Sequence, residues 1–182
     1  MSDVAAGAPG VSVRPDGAAV TADELARAFS DVRNELVSTL WYLLGNQEDA
    51  CDAAQEAFLK CWRARARIGE VHNLRAWIFR IGLNAAKDFR RSAWHRRARP
   101  LKDETMLAAN HVPVGQSLEE AETLERLRRA IQGLRREEQE VFLLRQNGEL
   151  TYEEIAAIRN SPVGTVKTQM RSALQKLRRE LA

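Results

Sequence analysis

The sequence predicts an all-α protein in which two small helical domains are joined by a flexible acidic linker. Apolar residues recur every three or four positions along most of the chain, which is the period of an amphipathic helix, and no strand-like alternation persists. Helix-capping signals precede several of these segments. A stretch rich in acids and interrupted by proline and glycine separates the segments into two groups, which is typical of a domain boundary.

The composition is that of a globular chain whose charge is unevenly distributed. Of the 182 residues, 45% are hydrophobic, and the net charge is only +3 although the pI is about 9.1. Residues 1–20, rich in Ala, Gly and Pro, are predicted to form a flexible tail. The longest apolar run is the five residues 40–44, and the N-terminus lacks the pattern of a signal peptide. We therefore expect a cytoplasmic protein without membrane insertion.

The first domain is predicted over residues 21–99 and begins with two helices. Thr21 and Glu24 make a capping box that opens the first helix. Gly45 ends that helix, and Asn46 caps the second.

The outer face of the second helix carries four acids and no base between residues 45 and 59. It is lined by Glu48, Asp52, Gln55, Glu56 and Leu59 and closes on Arg63. Such a stripe is commonly solvated surface, and it equally fits a docking face for a basic partner.

Two cysteines, Cys51 and Cys61, are predicted on this same helix. They would lie about 15 Å apart along its axis, which is too far for a disulfide between them. No metal-ligand spacing surrounds them, so we expect reduced thiols.

A third helix, predicted over residues 74–99 with Asn73 as its cap, changes character along its length. Its apolar face comprises Leu74, Trp77, Ile78, Ile81, Ala85 and Phe89. Residues 87–102 then hold seven Lys/Arg against one acid, Asp88. The first part is therefore expected to pack and the basic part to face a polyanion.

Aromatic and basic side chains alternate along this third helix, as in proteins that bind unpaired nucleic acid. Aromatic faces stack on unpaired bases while arginine neutralises the backbone. Trp77 and Phe89 lie on the apolar face and are better explained by packing. Phe79 and Trp94 lie off that face and are better candidates for base contact. The expected phosphate contacts are Arg90, Arg91, Arg96 and Arg97.

Residues 100–116 are predicted to link the two domains. Residues 103–125 contain six acids and no Lys/Arg. Ser117 and Glu120 form a capping box that opens the second domain, residues 117–182.

The end of the second domain has the layout of a helix-turn-helix DNA reader, two helices joined by a tight turn. Thr151 and Glu154 form a capping box for the first of these helices. Ser161 is placed to cap the second, with Pro162 at its first position. Residues 159–182 hold six Lys/Arg against one acid.

The polar face of this last helix carries groups that can reach phosphates and base edges, which predicts duplex DNA as a partner. These groups are Thr165, Lys167, Thr168, Gln169, Arg171, Ser172, Gln175 and Lys176. A solvated amphipathic helix is the plainer alternative. A helix-turn-helix alone also leaves open whether the protein is a repressor, a recombinase or an initiation factor.

The sequence predicts no enzyme, because no catalytic constellation is visible. His72, His95 and His111 share no common spacing. There is no glycine-rich phosphate loop, nucleophile elbow or metal motif, so we expect neither cofactor nor metal.

Three segments in this order resemble the extracytoplasmic-function (group IV) sigma factors of bacterial RNA polymerase. Residues 49–58 read DACDAAQEAF, and residues 74–91 read LRAWIFRIGLNAAKDFRR. Residues 150–156 read LTYEEIA and are followed by VGTVK at 163–167. The resemblance covers about residues 23–181 and implies sigma region 2 followed by sigma region 4.

The resemblance also implies a function for each surface. The residues expected to dock on the β′ clamp coiled coil of core RNA polymerase are Asp49, Asp52, Gln55, Glu56 and Phe58. Those expected to open the −10 element and hold its melted non-template strand are Trp77, Phe79, Asn84, Lys87, Arg90, Arg91 and Trp94. Those expected to read the duplex −35 element near the polymerase β flap are Thr165, Lys167, Thr168, Gln169, Arg171, Ser172 and Lys176. An anti-sigma factor is a further expected partner.

On the last helix this chain departs from the pattern of the family, which often has Arg where this chain has Gln169 and Ser172. A weaker grip on phosphates and a changed −35 preference are expected there. Two other functions stay open at this point: a free-standing helix-turn-helix regulator, and a helical adaptor whose basic faces bind acidic proteins. The acidic stripe on the second helix distinguishes a sigma factor from a free-standing regulator, because the regulator needs no such face.

Overall fold

The computed structural model describes residues 21–66, 71, 73–97 and 118–182, with side chains described within 21–66, 71, 73–92 and 122–182. The described part contains seven α-helices and no strand, which confirms the predicted fold class. The helices are α1 Ala22–Leu44, α2 Gln47–Arg63, α3 Leu74–Arg97, α4 Leu118–Gln132, α5 Arg136–Gln146, α6 Tyr152–Arg159 and α7 Val163–Leu181. The predictions for the tail 1–20, the linker 100–116, the Ser117 capping box and the Trp94 side chain lie outside what is described.

The predicted helix ends of the first domain are confirmed by hydrogen bonds. Thr21 Oγ1 accepts from Glu24 N at 3.2 Å, and Glu24 Oε2 accepts from Thr21 N at 2.9 Å. Gly45 ends α1 in the left-handed conformation with φ of 75°. Asn46 Oδ1 accepts from Glu48 N at 2.8 Å and so caps α2.

The first three helices pack around a core of leucines, alanines and aromatic rings. Leu25, Leu36 and Leu40 of α1 are fully buried. The buried face of α2 is almost entirely alanine, which lets its neighbours approach closely. Gly82 does the same on α3, because a Cβ there would lie 2.6 Å from Leu36 Cδ1.

The helix-turn-helix is present as α6 and α7, but the turn differs from the prediction. Asn160 ends α6 in the left-handed conformation with φ of 50°. Pro162, not Ser161, occupies the N-cap of α7, and its carbonyl accepts from Thr165 N at 3.0 Å. The prediction that Ser161 caps α7 is therefore wrong. Its Oγ is buried without a hydrogen-bond partner in the described structure.

The two helical groups contact each other. α1 packs against α4 and α5, and α3 packs against α6. One continuous buried cluster joins leucines of α1 to Val141 and Leu144 of α5 and Ile155 of α6. Arg75 Nε donates to Gly148 O at 2.6 Å across this contact. No described helix is long and apolar enough to cross a membrane.

Candidate polymerase and nucleic-acid interfaces

The acidic stripe of α2 faces solvent for most of its length. Asp52 and Gln55 are exposed, and so is Leu59, with 39% of its surface accessible. Glu56 is half-buried, and its Oε1 lies 4.0 Å from Lys60 Nζ. Asp49 is half-buried in the first turn of α2, where the positive end of the helix dipole stabilises its carboxylate.

Phe58, on the same helix, is only half-accessible. Its ring meets the Phe29 ring edge-on, with centroids 5.0 Å apart, and lies 6.0 Å from the Trp62 ring. Much of this side chain therefore belongs to the core that holds α2 against α1.

The middle of α3 presents an exposed polar face. Asn84, Lys87, Arg90 and Arg91 are all exposed. Asp88 lies among them, with Oδ2 3.1 Å from Lys60 Nζ and Oδ1 3.8 Å from an Arg91 nitrogen. The structure thus brings together four of the seven residues predicted for the −10 element.

The burial of the two aromatic residues at the start of α3, Trp77 and Phe79, differs from the prediction. Phe79 is fully buried, so the prediction that it lies off the core face is wrong. The cause is that α3 packs against both α1 and α2, which widens its buried face to include Ile78 and Phe79 together. Trp77, assigned mainly to packing, is half-accessible.

Arg90 lies close to the second helical group. Partial burial lowers the pKa of its guanidinium, and the nearby Arg136 on α5 lowers it further, while Glu140 opposes both. A residue expected to contact DNA therefore faces α5 when the two groups are in contact.

On α7, four of the predicted −35 residues are exposed: Thr165, Lys167, Thr168 and Arg171. Thr168 Oγ1 donates to Gly164 O at 2.9 Å. Lys167 Nζ lies 5.9 Å from the centroid of the Tyr152 ring on α6, so this side chain lies near the first helix of the motif.

Ser172 and Lys176, both predicted to contact the −35 element, are each hydrogen-bonded to Glu138 within the protein. Glu138 Oε1 of α5 accepts from Ser172 Oγ at 2.7 Å, and Lys176 Nζ donates to both Glu138 oxygens, at 2.8 and 2.7 Å. Burial raises the pKa of Glu138, but the hydrogen bonds from Lys176, Ser172 and the Arg135 main chain outweigh it and leave the pKa below its ordinary value. Both side chains lie on the flank of α7 that faces α5.

Gln169 contacts α6 and lies at the end of a chain of polar contacts. Arg136 Nε lies 3.1 Å from Glu140 Oε1, and Arg159 Nε lies 3.2 Å from Glu140 Oε2. The Arg159 guanidinium also donates to Gln169 Oε1.

Glu138, Glu140 and Arg159 were not evident from the sequence as parts of the site. The segment 135–140 reads as ordinary polar helix surface, yet Glu138 and Glu140 are each only 5% exposed. A weak signal was available, because a helix without a clean apolar stripe is commonly stabilised by side-chain pairs.

Comparison with known proteins matches both helical groups to a family. Residues 28–96 match the Sigma-70 region 2 model, and residues 124–177 match the Sigma-70, region 4 model. The chain is 32% identical over 132 residues to the ECF RNA polymerase sigma-E factor of Escherichia coli strain K12, covering 67% of this chain and 68% of that protein. This chain belongs to the ECF sigma factors. The family predicted from the three sequence segments is confirmed.

A further relative is similar to this chain in sequence, and two solved structures share its fold. The chain is 27% identical over 148 residues to the RNA polymerase sigma-H factor of Pseudomonas aeruginosa PAO1, covering 76% of each protein. Its fold matches CnrH in the complex with the cytosolic domain of CnrY, with a TM-score of 0.65, 21% identity and coverage of 91% and 92% of the two chains. It also matches the sigma factor RpoE from Bartonella quintana in complex with the anti-sigma factor NepR, with a TM-score of 0.68, 22% identity and coverage of 87% and 94%.

Proposed function

We propose that this chain binds core RNA polymerase and directs transcription initiation at promoters with particular −10 and −35 elements. The observation that carries the proposal is the pairing, in one ECF sigma factor, of an exposed acidic stripe on α2 with an exposed polar and basic face on the helix-turn-helix. An initiation factor of this family acts by binding, not by catalysing a reaction of its own.

The polymerase-binding surface is the outer face of α2. Asp52 and Gln55 are its fully exposed members, with Asp49 and Glu56 beside them. A cluster of carboxylates complements a basic partner and speeds its encounter. Phe58 contributes only its accessible edge, because the ring is packed against Phe29. The proposed partner is the β′ clamp coiled coil.

The −10 surface is the exposed face of α3. Asn84 can hydrogen-bond a base, and Lys87, Arg90 and Arg91 are placed to neutralise phosphates. Trp77 offers a partly accessible ring for stacking on an unpaired base, with Trp94 further along the same helix. Phe79 supports this face from below and makes no contact with DNA.

The −35 surface is the N-terminal half of α7. Recognition helices of helix-turn-helix proteins place these residues in the major groove. Thr165, Lys167, Thr168 and Arg171 are exposed there without any change in the packing of α7.

Engagement of both elements requires the two helical groups to separate. Elements about 25 base pairs apart lie about 85 Å apart along B-form DNA. A compact chain of this length has a radius of gyration of only about 16 Å. The 20 residues 98–117 between α3 and α4 can extend over at most about 70 Å, which is of the required order.

The neighbouring structures suggest how such a protein is regulated. RpoE of Bartonella quintana is bound to an anti-sigma factor, and this chain shares its fold. We propose that an anti-sigma factor binds this protein too, and that both act in the cytoplasm, where core polymerase is found.

Run-off transcription with purified core polymerase and mapping of start sites genome-wide tests this function. The expected result is initiation at start sites that share −10 and −35 sequences and that core polymerase alone does not use. Sequence-specific binding to duplex DNA without any affinity for core polymerase would instead indicate a free-standing regulator.

A further inference from the structure

A groove between α4 and α7 is lined mainly by positive charges. It has a volume of about 490 Å³. Arg126 and Arg129 lie on its α4 side, and Lys176 and Arg179 lie on its α7 side. Glu180 is the only acid among the described residues that line it. We call this surface the basic groove.

The positive charge of the basic groove is only weakly neutralised within the protein. Arg129 and Arg179 each make one long ion pair, of 3.6 Å, to Glu125 and Glu180. Both arginine side chains are highly exposed, at 68% and 77%, so these pairs contribute little. Glu125 is also held by Arg128, through two hydrogen bonds of 2.6 and 2.7 Å. A concave surface with such an excess of one charge attracts an acidic partner.

The floor of the basic groove is apolar. Ala130 and Leu134 form it, each nearly buried in the protein, and Gly133 between them is exposed and adds no side chain. From Arg126 to Gly133 the groove follows the helix direction of α4 for about two turns, roughly 11 Å. That length accommodates about three extended residues. Because a phosphate has no apolar part, this floor favours a peptide that carries an apolar side chain between its acids.

The basic groove lies near the C-terminal end of α7, away from the half proposed to read the −35 element. Arg179 is about 21 Å from Thr165 along the helix axis. The major groove is about 12 Å wide, so a helix that enters it by its N-terminal residues keeps Arg179 outside it. Lys176 is the one member of the basic groove that was predicted to contact DNA, and it donates twice to Glu138. A protein segment can therefore occupy the basic groove while α7 is bound to DNA.

We propose that the basic groove is a docking site for a short acidic segment of a partner protein, in which an apolar residue lies between carboxylates. The arginines bind the carboxylates in the paired geometry that guanidinium groups favour. The apolar residue covers Ala130 and Leu134. The contact is small, so it is weak and transient. Its compatibility with promoter binding rests on the proposed −35 recognition, whereas the docking site itself does not.

The test is titration of the fluorescein-labelled peptide EDLDE with the full chain at low salt, followed by fluorescence anisotropy. The double variant Arg126→Glu with Arg179→Glu reverses one charge on each side of the basic groove and should weaken binding about tenfold. The control, Arg27→Glu with Arg33→Glu, makes the same charge change at exposed positions on α1 and should bind like wild type.

A second variant fills the basic groove without changing its charge. A Cβ at Gly133 would lie 3.5 Å from its nearest neighbours, the main-chain oxygens of Arg129 and Ala130, which is ordinary contact. Gly133→Met should therefore keep the fold and weaken binding of EDLDE about threefold or more, by covering the apolar floor. Gln132→Met, at the exposed neighbouring position, should have no effect. The peptide EDGDE should bind wild type about threefold more weakly than EDLDE.

Equal binding of EDLDE to wild type and to Arg126→Glu with Arg179→Glu overturns the inference. Displacement of the peptide by inorganic triphosphate, with equal binding of EDLDE and EDGDE, identifies a phosphate site and also overturns it. Displacement by a promoter duplex in the complex with core polymerase assigns the basic groove to the DNA interface instead. Run-off transcription keeps the proposed function separate, because the double variant should transcribe like wild type. Failure of wild type to initiate contradicts that function and leaves the peptide result unaffected.

Discussion

Arg75 and Gly148 connect the two helical groups, with Arg75 Nε 2.6 Å from the Gly148 carbonyl oxygen. A second guanidinium nitrogen donates to Asn147 O at 2.9 Å. The start of α3 is thus attached to the C-terminal end of α5. Gly148 admits no side chain there, because a Cβ would lie 2.4 Å from Leu144 O. The attachment holds a helix proposed to bind the −10 element against the module proposed to bind the −35 element.

Replacement of Arg75 by alanine is expected to favour separation of the two groups. The variant loses two charge-assisted hydrogen bonds to partly buried carbonyls. Each contributes at most about 1.5–3 kcal/mol to the contact between the two groups. Energy transfer between dyes placed on α1 and α7 measures the separation and should fall in the variant. Arg33→Ala, at an exposed position on α1, serves as the control. Equal transfer efficiency in wild type and Arg75→Ala contradicts the prediction.

The double substitution Asp52→Arg with Glu56→Arg is expected to abolish binding to core polymerase and leave the fold intact. The two substitutions place positive charges on the α2 face opposite a basic partner. The repulsion between like charges then strongly disfavours binding. Affinity measured by size-exclusion or fluorescence titration, with the circular dichroism spectrum as a check of the fold, tests it. The matched control, Asp31→Arg with Glu122→Arg, makes the same charge change at exposed positions elsewhere. Undiminished binding in the first pair would remove α2 from the proposed interface.

Phe79→Ala is expected to destabilise the protein by about 3–5 kcal/mol, as truncation of a fully buried aromatic residue does. Urea unfolding measures the free energy change. Leu124→Ala should destabilise the protein far less, because 46% of the surface of Leu124 is exposed. A variant as stable as wild type but defective in opening promoters would restore Phe79 as a base contact.

The two cysteines are expected to differ sharply in reactivity. Burial raises the pKa of the Cys61 thiol to about 12, so it remains protonated and inert at pH 8, whereas Cys51 is exposed. Thiol titration of the native protein at pH 8 should find one reactive group, and titration in denaturant two. Because the pKa of Cys61 is higher in the folded protein, its contribution to stability is complete below pH 9 and is lost as the pH rises toward 12. Rapid reaction of both thiols in the native protein would show that α2 opens readily.

Local signals in the sequence predicted the helices and their caps well. Thr21, Asn46 and Thr151 cap the helices they were expected to cap, because a capping hydrogen bond spans only two or three residues. The failure at Ser161 has an equally local cause. The left-handed Asn160 redirects the chain so that Pro162 takes the N-cap instead.

The family, the all-α class and the acidic, aromatic-basic and helix-turn-helix segments were all evident from the sequence, since each depends on residues that are near one another in the chain. The burial of Phe79 was not, because it depends on α3 meeting two other helices at once. Nor was the engagement of Ser172 and Gln169 by α5 and α6, which depends on partners 34 and 10 residues away. The sequence by itself determined which polar groups the reading helix carries. Only the tertiary structure decided which of their donors and acceptors remain free, because a hydrogen bond within the protein leaves one fewer for DNA.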